Sequence, residues 1–168
     1  YDSVSGSLGT GMMLLQLAED IRRGMDWNAL TERRVPWLIQ NTFPFFSVDT
    51  LEYLQKGGRI GKVTAMAGTM LQIKPLITFA ADGQLQSIAK VRGRNLVIRK
   101  LIELVTQSHN GAARYNLAVA NGGAPAEMEI LQGKLTTALP NYDHIWSGEL
   151  DGTLSVYIGD GVLGAAVQ

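Results

Sequence analysis

Apolar residues along this chain change their spacing from one segment to the next, and each spacing predicts an element. Between Leu8 and Ile21 the apolar positions Leu14, Leu17, Ala18 and Ile21 recur at helical intervals, and Gly24 follows where a helix stop is expected. A second helix is predicted from Asp26, acting as its cap, through Trp27, Leu30 and Leu38, kinked or broken at Pro36, which has no N–H to donate. The run Phe43-Pro-Phe-Phe-Ser-Val48 is aromatic and β-branched enough for a strand, with Pro44 suited to an edge or a strand start. Asp49-Thr-Leu-Glu52 has the spacing of a capping box and predicts a short helix that stops at Gly57 and Gly58.

Beyond those glycines, Val63, Met66, Ala67, Met70 and Leu71 share one helical face, and the runs 73–79 and 85–91 form a hairpin around Asp82-Gly83. Residues 95–107 carry Leu101, Ile102 and Val105 as a helical stripe, 115–120 form a strand, and 127–139 another helix. Two further strands are expected at 144–150 and 153–158, before Gly159-Asp-Gly161 leads into the apolar run 162–167. This alternation predicts an α/β fold, a mixed β-sheet with packed helices, with any internal boundary between Gln40 and Phe43.

Composition removes several function classes. Fifteen Lys and Arg balance fifteen Asp and Glu, so no net field steers the 168-residue chain to nucleic acid or anionic lipid. The absence of cysteine excludes disulfides, thiolate metal sites and cysteine nucleophiles, and suits a cytoplasmic protein. No apolar stretch reaches the ~20 residues of a membrane-spanning helix. The chain opens on Tyr1 rather than Met, and is read as starting partway into a longer protein. His109 and His144 have neither metal-pair spacing nor triad partners, so packing or surface roles are expected for both. Lys90, Arg92, Arg94, Arg99 and Lys100 form a basic run that reads either as a solvated face or as a contact surface for a partner.

The densest chemical signal is Leu51-Glu-Tyr-Leu-Gln-Lys-Gly-Gly-Arg-Ile60. A helix stopped by two glycines brings backbone amides and the planar guanidinium of Arg59 into one small volume, which suits a carboxylate or phosphate. The local alternative is that Gly57 and Gly58 only end the helix while Arg59 bonds a carbonyl. No nucleophile elbow or glycine-rich phosphate loop accompanies the motif, so catalytic and metal residues are expected to be none.

The Gly-Gly-Arg segment resembles the signature of the DegV family of fatty-acid-binding proteins. Asp2-Ser-Val-Ser-Gly-Ser-Leu-Gly9, Leu71-Gln-Ile-Lys-Pro75, Lys90-Val-Arg92 and Gly161-Val-Leu-Gly164 are similar to other segments of that family, in the same order. The resemblance implies a two-domain α/β carrier that holds one long-chain fatty acid and presents its carboxylate to a separate fatty-acid kinase catalytic subunit for acyl-phosphate formation, in phospholipid synthesis. It implies no cofactor beyond that bound acid. Residues 1–41 are then a helical segment joining or completing a missing amino-terminal domain, and 42–168 the carboxyl-terminal α/β domain.

On this resemblance Arg59, with Gly57 and Gly58 shaping its turn, binds the carboxylate. The family's terminal histidine is replaced at Tyr157, whose hydroxyl is the candidate donor, and Asp160 stands where the family has proline. Ser3, Ser5 and Ser7 either border the ligand or form an ordinary loop and cap. The acyl tail is assigned to Met66, Met70, Leu71, Ile73, Leu76 and Ile77, a stripe that without the resemblance reads as core. The rival reading is a diverged interaction or assembly domain that binds no lipid.

Overall fold

Six strands lie in one mixed sheet in the order β3-β2-β1-β6-β4-β5. The computed structural model describes residues 1–66, 72–109, 111 and 113–168. The strands are β1 (Phe43–Ser47), β2 (Ile73–Phe79), β3 (Leu85–Arg92), β4 (Asn116–Gly122), β5 (His144–Glu149) and β6 (Val162–Val167). The helices are α1 (Leu8–Arg22), α2 (Val35–Gln40), α3 (Glu52–Lys56), α4 (Asn95–His109), α5 (Pro125–Ala138) and α6 (Gly152–Ile158). β1, β2 and β3 form an antiparallel meander, β4 and β5 are parallel, and β6 runs antiparallel to both β1 and β4, joining the two halves.

Successive strand residues face opposite sides, so the packing partners reveal what covers each face. Leu117, Val119, Leu163, Ala165 and Val167 pack with Leu101, Val105, Leu131 and Leu135, so α4 and α5 cover one face. Ala118 and Ala166, from the intervening positions, pack with Met12 of α1, and Val162 packs with Val48, Leu54, Val63 and Ile77. The opposite face is therefore shared between α1 and the α3 region. All seven residues of β4 and all six of β6 are buried, as expected for strands covered on both sides. Each fully buried Leu contributes about 1.5–3 kcal/mol relative to exposure.

Pro44 sits at the start of β1, where the ladder to β2 has not begun, and its carbonyl accepts instead from Thr78 Oγ1 at 2.7 Å. The second helix is disturbed where Pro36 requires it: Ala29–Arg34 form a π-helical turn before α2, with Pro36 in the first turn that follows, and Asp26 Oδ1 accepts from the Ala29 amide at 3.0 Å.

Two expectations are corrected. Residues 153–158 are helical, not a strand: Asp151 caps α6 by accepting the Leu154 amide at 3.0 Å, and this cap outweighs the β-branched Thr153, Val156 and Ile158. The capping box at Asp49 does not form. Asp49 pairs instead with Lys74 at 2.9 Å and Arg94 at 3.1 Å, while Glu52 turns to Lys56 at 2.6 Å and the Glu52 amide donates to Thr50 Oγ1 at 3.2 Å. Cations brought by distant segments thus replace the local amides. Gly61–Met66 is a 3-10 helix; the rest of the expected helical face, including Met70 and Leu71, lies outside the described residues.

Candidate functional site

A cavity of about 580 Å³ lies over the sheet face that α1 and α3 share. Its floor includes Pro44, Phe46, Phe79, Ala120, Val162 and Gly164, and its walls come from Leu8 of α1, Leu54 of α3 and Leu154, Tyr157 and Ile158 of α6. Arg59 is the one charged residue among the described residues that line it.

The turn after α3 places Arg59 there. The Arg59 amide donates to Leu54 O at 2.8 Å and the Gly58 amide to Gln55 O at 3.1 Å, the paired bonds of a Schellman stop. The two adjacent glycines are required for different reasons. Gly58 has φ +68 with open space around it, so its need is conformational. Gly57 has φ −78, open to any residue, but a Cβ there would strike the ring of Tyr157. The contact is reciprocated, since a Cβ on Gly159 would strike the ring of Tyr53. Each helix thus ends under an aromatic ring from the other, which fixes α3 against α6.

On this junction the Arg59 guanidinium lies over the Tyr157 ring, 4.4 Å from its centre, and its Nη1 donates to Gly57 O at 2.7 Å. Arg59 therefore bonds a local carbonyl, as the local alternative expects, and it also borders the cavity. Gly57, Gly58, Arg59 and Tyr157, remote in sequence, are brought together. Asp160 does not oppose them. Its carboxylate folds against Gly123 at the start of α5, where the helix amides favour negative charge.

Of the residues expected to line an acyl tail, Ile73, Leu76 and Ile77 lie away from this cavity. Leu76 is packed under α4 and Ile77 beneath Val63 and Leu54, both fully buried, and neither they nor Ile73 borders the cavity. Adjacent residues of β2 face opposite cores, so a run of apolar residues cannot all reach one space. Met70 and Leu71 lie outside the described residues, as does the side chain of Met66. Sequence reasoning missed Phe46, Phe79, Leu154 and Ile158; reading 153–158 as a helix would have put the last two on one face.

Ser7 borders the cavity, whereas Ser3 Oγ bonds Ser5 O at 3.2 Å and Thr10 Oγ1 at 3.1 Å. Of the basic run, Arg94 holds Glu127 through bonds of 2.7–3.1 Å and Lys100 pairs with Glu103 at 2.6 Å. His144 pairs with Glu19 at 3.1 Å and stacks on Trp146, and His109 lies edge-on to Tyr115. Among the described residues no three His, Asp or Glu are grouped to hold a metal. No described helix is long and apolar enough to cross a membrane.

The family described as "Uncharacterised protein, DegV family" matches residues 1–168. A DegV domain-containing protein of Clostridium acetobutylicum is 33% identical over 167 residues, covering 99% of this chain and 59% of that protein. One from Clostridium perfringens is 29% identical, with 100% and 59% covered. Among solved structures, a DegV family protein from Thermus thermophilus, described by its fatty-acid binding, superposes with a TM-score of 0.90 at 27% identity, covering 99% of this chain and 59% of that one. Bacillus subtilis DegV, described as a fatty acid binding protein, has the same fold, with a TM-score of 0.84 at 23% identity and coverage of 99% and 58%. The chain thus spans about three fifths of the length of its curated relatives. By its sequence over all 168 residues and by its fold, the chain belongs to the DegV family.

Proposed function

We propose that the full-length protein containing this chain is a non-catalytic, cytoplasmic carrier that binds a long-chain fatty acid, with the carboxylate at Arg59 and the tail in the cavity, and presents the carboxylate to a fatty-acid kinase. The observation that carries the reading is the cavity itself: an apolar space in which a single charged residue, a cation, is described. A guanidinium has five N–H donors, so its bond to Gly57 O leaves others for a carboxylate. Each buried methylene contributes about 0.8 kcal/mol before association costs, so the tail dominates affinity while the arginine sets orientation. The fatty-acid binding of the related Thermus protein supports the same reading.

In this proposal Tyr157 acts beside Arg59, and residues 1–41 join or complete an amino-terminal domain carried by the rest of the protein. Exposed apolar side chains on and after α1, among them Leu14, Ile21 and Trp27, supply a surface for that packing. The test is lipid extraction from the purified full-length protein and its Arg59→Ala variant, followed by mass spectrometry. A stoichiometric fatty acid that the variant loses is the expected result, and no fatty acid in the unaltered protein overturns the reading. Acyl phosphate is expected only when the loaded protein meets ATP and a kinase subunit together.

A further inference from the structure

Gly164 interrupts a strand that is buried at every position, and nothing local requires glycine there. Its φ is not in the left-handed region. A Cβ at Gly164 would make only ordinary contacts, 3.5 Å to Phe45 O, 3.6 Å to Phe46 Cβ and 3.7 Å to Leu8 Cδ2. Glycine inside a strand weakens it through its conformational freedom, and often marks a place where another group approaches the backbone closely. Here the vacant side is the cavity floor. Its partner across the ladder to β4 is Ala120, also small and also on the floor, while its partner on β1 is Phe46. The two small residues make a trough across the sheet, bounded by Phe46 and Leu8.

Resting on the carrier reading, we infer that Gly164, with Ala120, sets the length of acyl chain the protein accepts: the trough is the path of the distal tail, and side chains added there shorten it. A Leu at this position brings four carbons into that path, and each methylene left unburied weakens binding about fourfold. Gly164→Leu is therefore expected to weaken palmitic acid by about two orders of magnitude while sparing decanoic acid. Gly164→Ala and Ala120→Val, which add less volume to the sheet, are expected to shift the preference in the same direction by smaller steps and guard against misfolding of the larger variant.

The experiment delipidates the full-length protein and the three variants, offers each an equimolar mixture of saturated acids from octanoic to stearic, and measures the bound species by mass spectrometry, with folding checked by circular dichroism. A progressive move to shorter acids with added volume is the expected result. An unchanged distribution in the folded variants, or loss of short and long acids alike from Gly164→Ala, overturns the inference while leaving the carrier reading intact. No bound acid in the unaltered protein overturns both.

Discussion

The two faces of the sheet are built by the same strands yet reach opposite outcomes. Beneath α4 and α5, Leu101, Leu117, Leu131, Leu135 and Leu163 interlock and are fully buried, and large aliphatic side chains fill the space. Across the sheet, the strands present Pro44, Ala120 and Gly164, and the short helices α3 and α6 lean on tyrosine rings seated against glycines, leaving about 580 Å³ open. β6 serves both: Leu163 and Ala165 go to the filled face, Gly164 to the open one. Packed core and open cavity thus occupy alternate positions of one strand, and they can be altered separately.

The sharpest way to break this division is Leu131→Ala, which empties volume on the filled face. Denaturant unfolding of the full-length protein should show a loss of about 2–5 kcal/mol, with the bound lipid unchanged in kind. Removing the α6 cap with Asp151→Ala acts on the open face, and about 0.5–2 kcal/mol of stability should go, together with a weaker hold on the acid because α6 carries Tyr157. Replacing Tyr157 separates stacking from hydrogen bonding. Tyr157→Phe should retain the ligand, whereas Tyr157→Leu removes an interaction of about 0.5–1 kcal/mol with Arg59 and should weaken binding severalfold in a titration. A loss in Tyr157→Phe as large as in Arg59→Ala would instead make the hydroxyl a ligand.

The smallest effect belongs to the exposed Lys62–Asp82 pair at 2.7 Å. The bond from Lys62, then that from the Gln84 amide, holds the Asp82 carboxyl below its ordinary range. Its contribution is complete above the unfolded carboxylate pKa and fades as pH falls through the lowered value. Asp82→Asn should flatten the melting temperature slightly across that acidic window, and added salt should erase the difference.

How much of this was legible in advance follows from how local each signal is. α4 was readable because Leu101 and Val105 repeat at helical period over a 15-residue helix, and the β2–β3 hairpin because both strands and their turn are contiguous. α6 was not, because seven residues with three β-branched side chains look like a strand until Asp151 is seen to cap them. Arg59 and Tyr157 could be named through a family pattern, but their stacking could not, since it depends on α3 and α6 meeting over Gly57 and Gly159. The cavity wall was hardest of all: its residues come a few at a time from segments between Gly6 and Gly164, so no single window of sequence carries it.

The position of β6 also has a consequence for how the chain assembles. β1 and β4 share no ladder, and only the last strand, inserted between them, joins the meander to the parallel pair. As the ribosome delivers the chain, both halves wait with an unpaired edge until residues 162–167 emerge, so sheet closure is a late, long-range event. Val162 and Gly164, which complete the cavity floor, thus belong to the strand whose arrival covers the inner edges of β1 and β4, and a chain stalled before it would present those two edges as open templates for association with its neighbours.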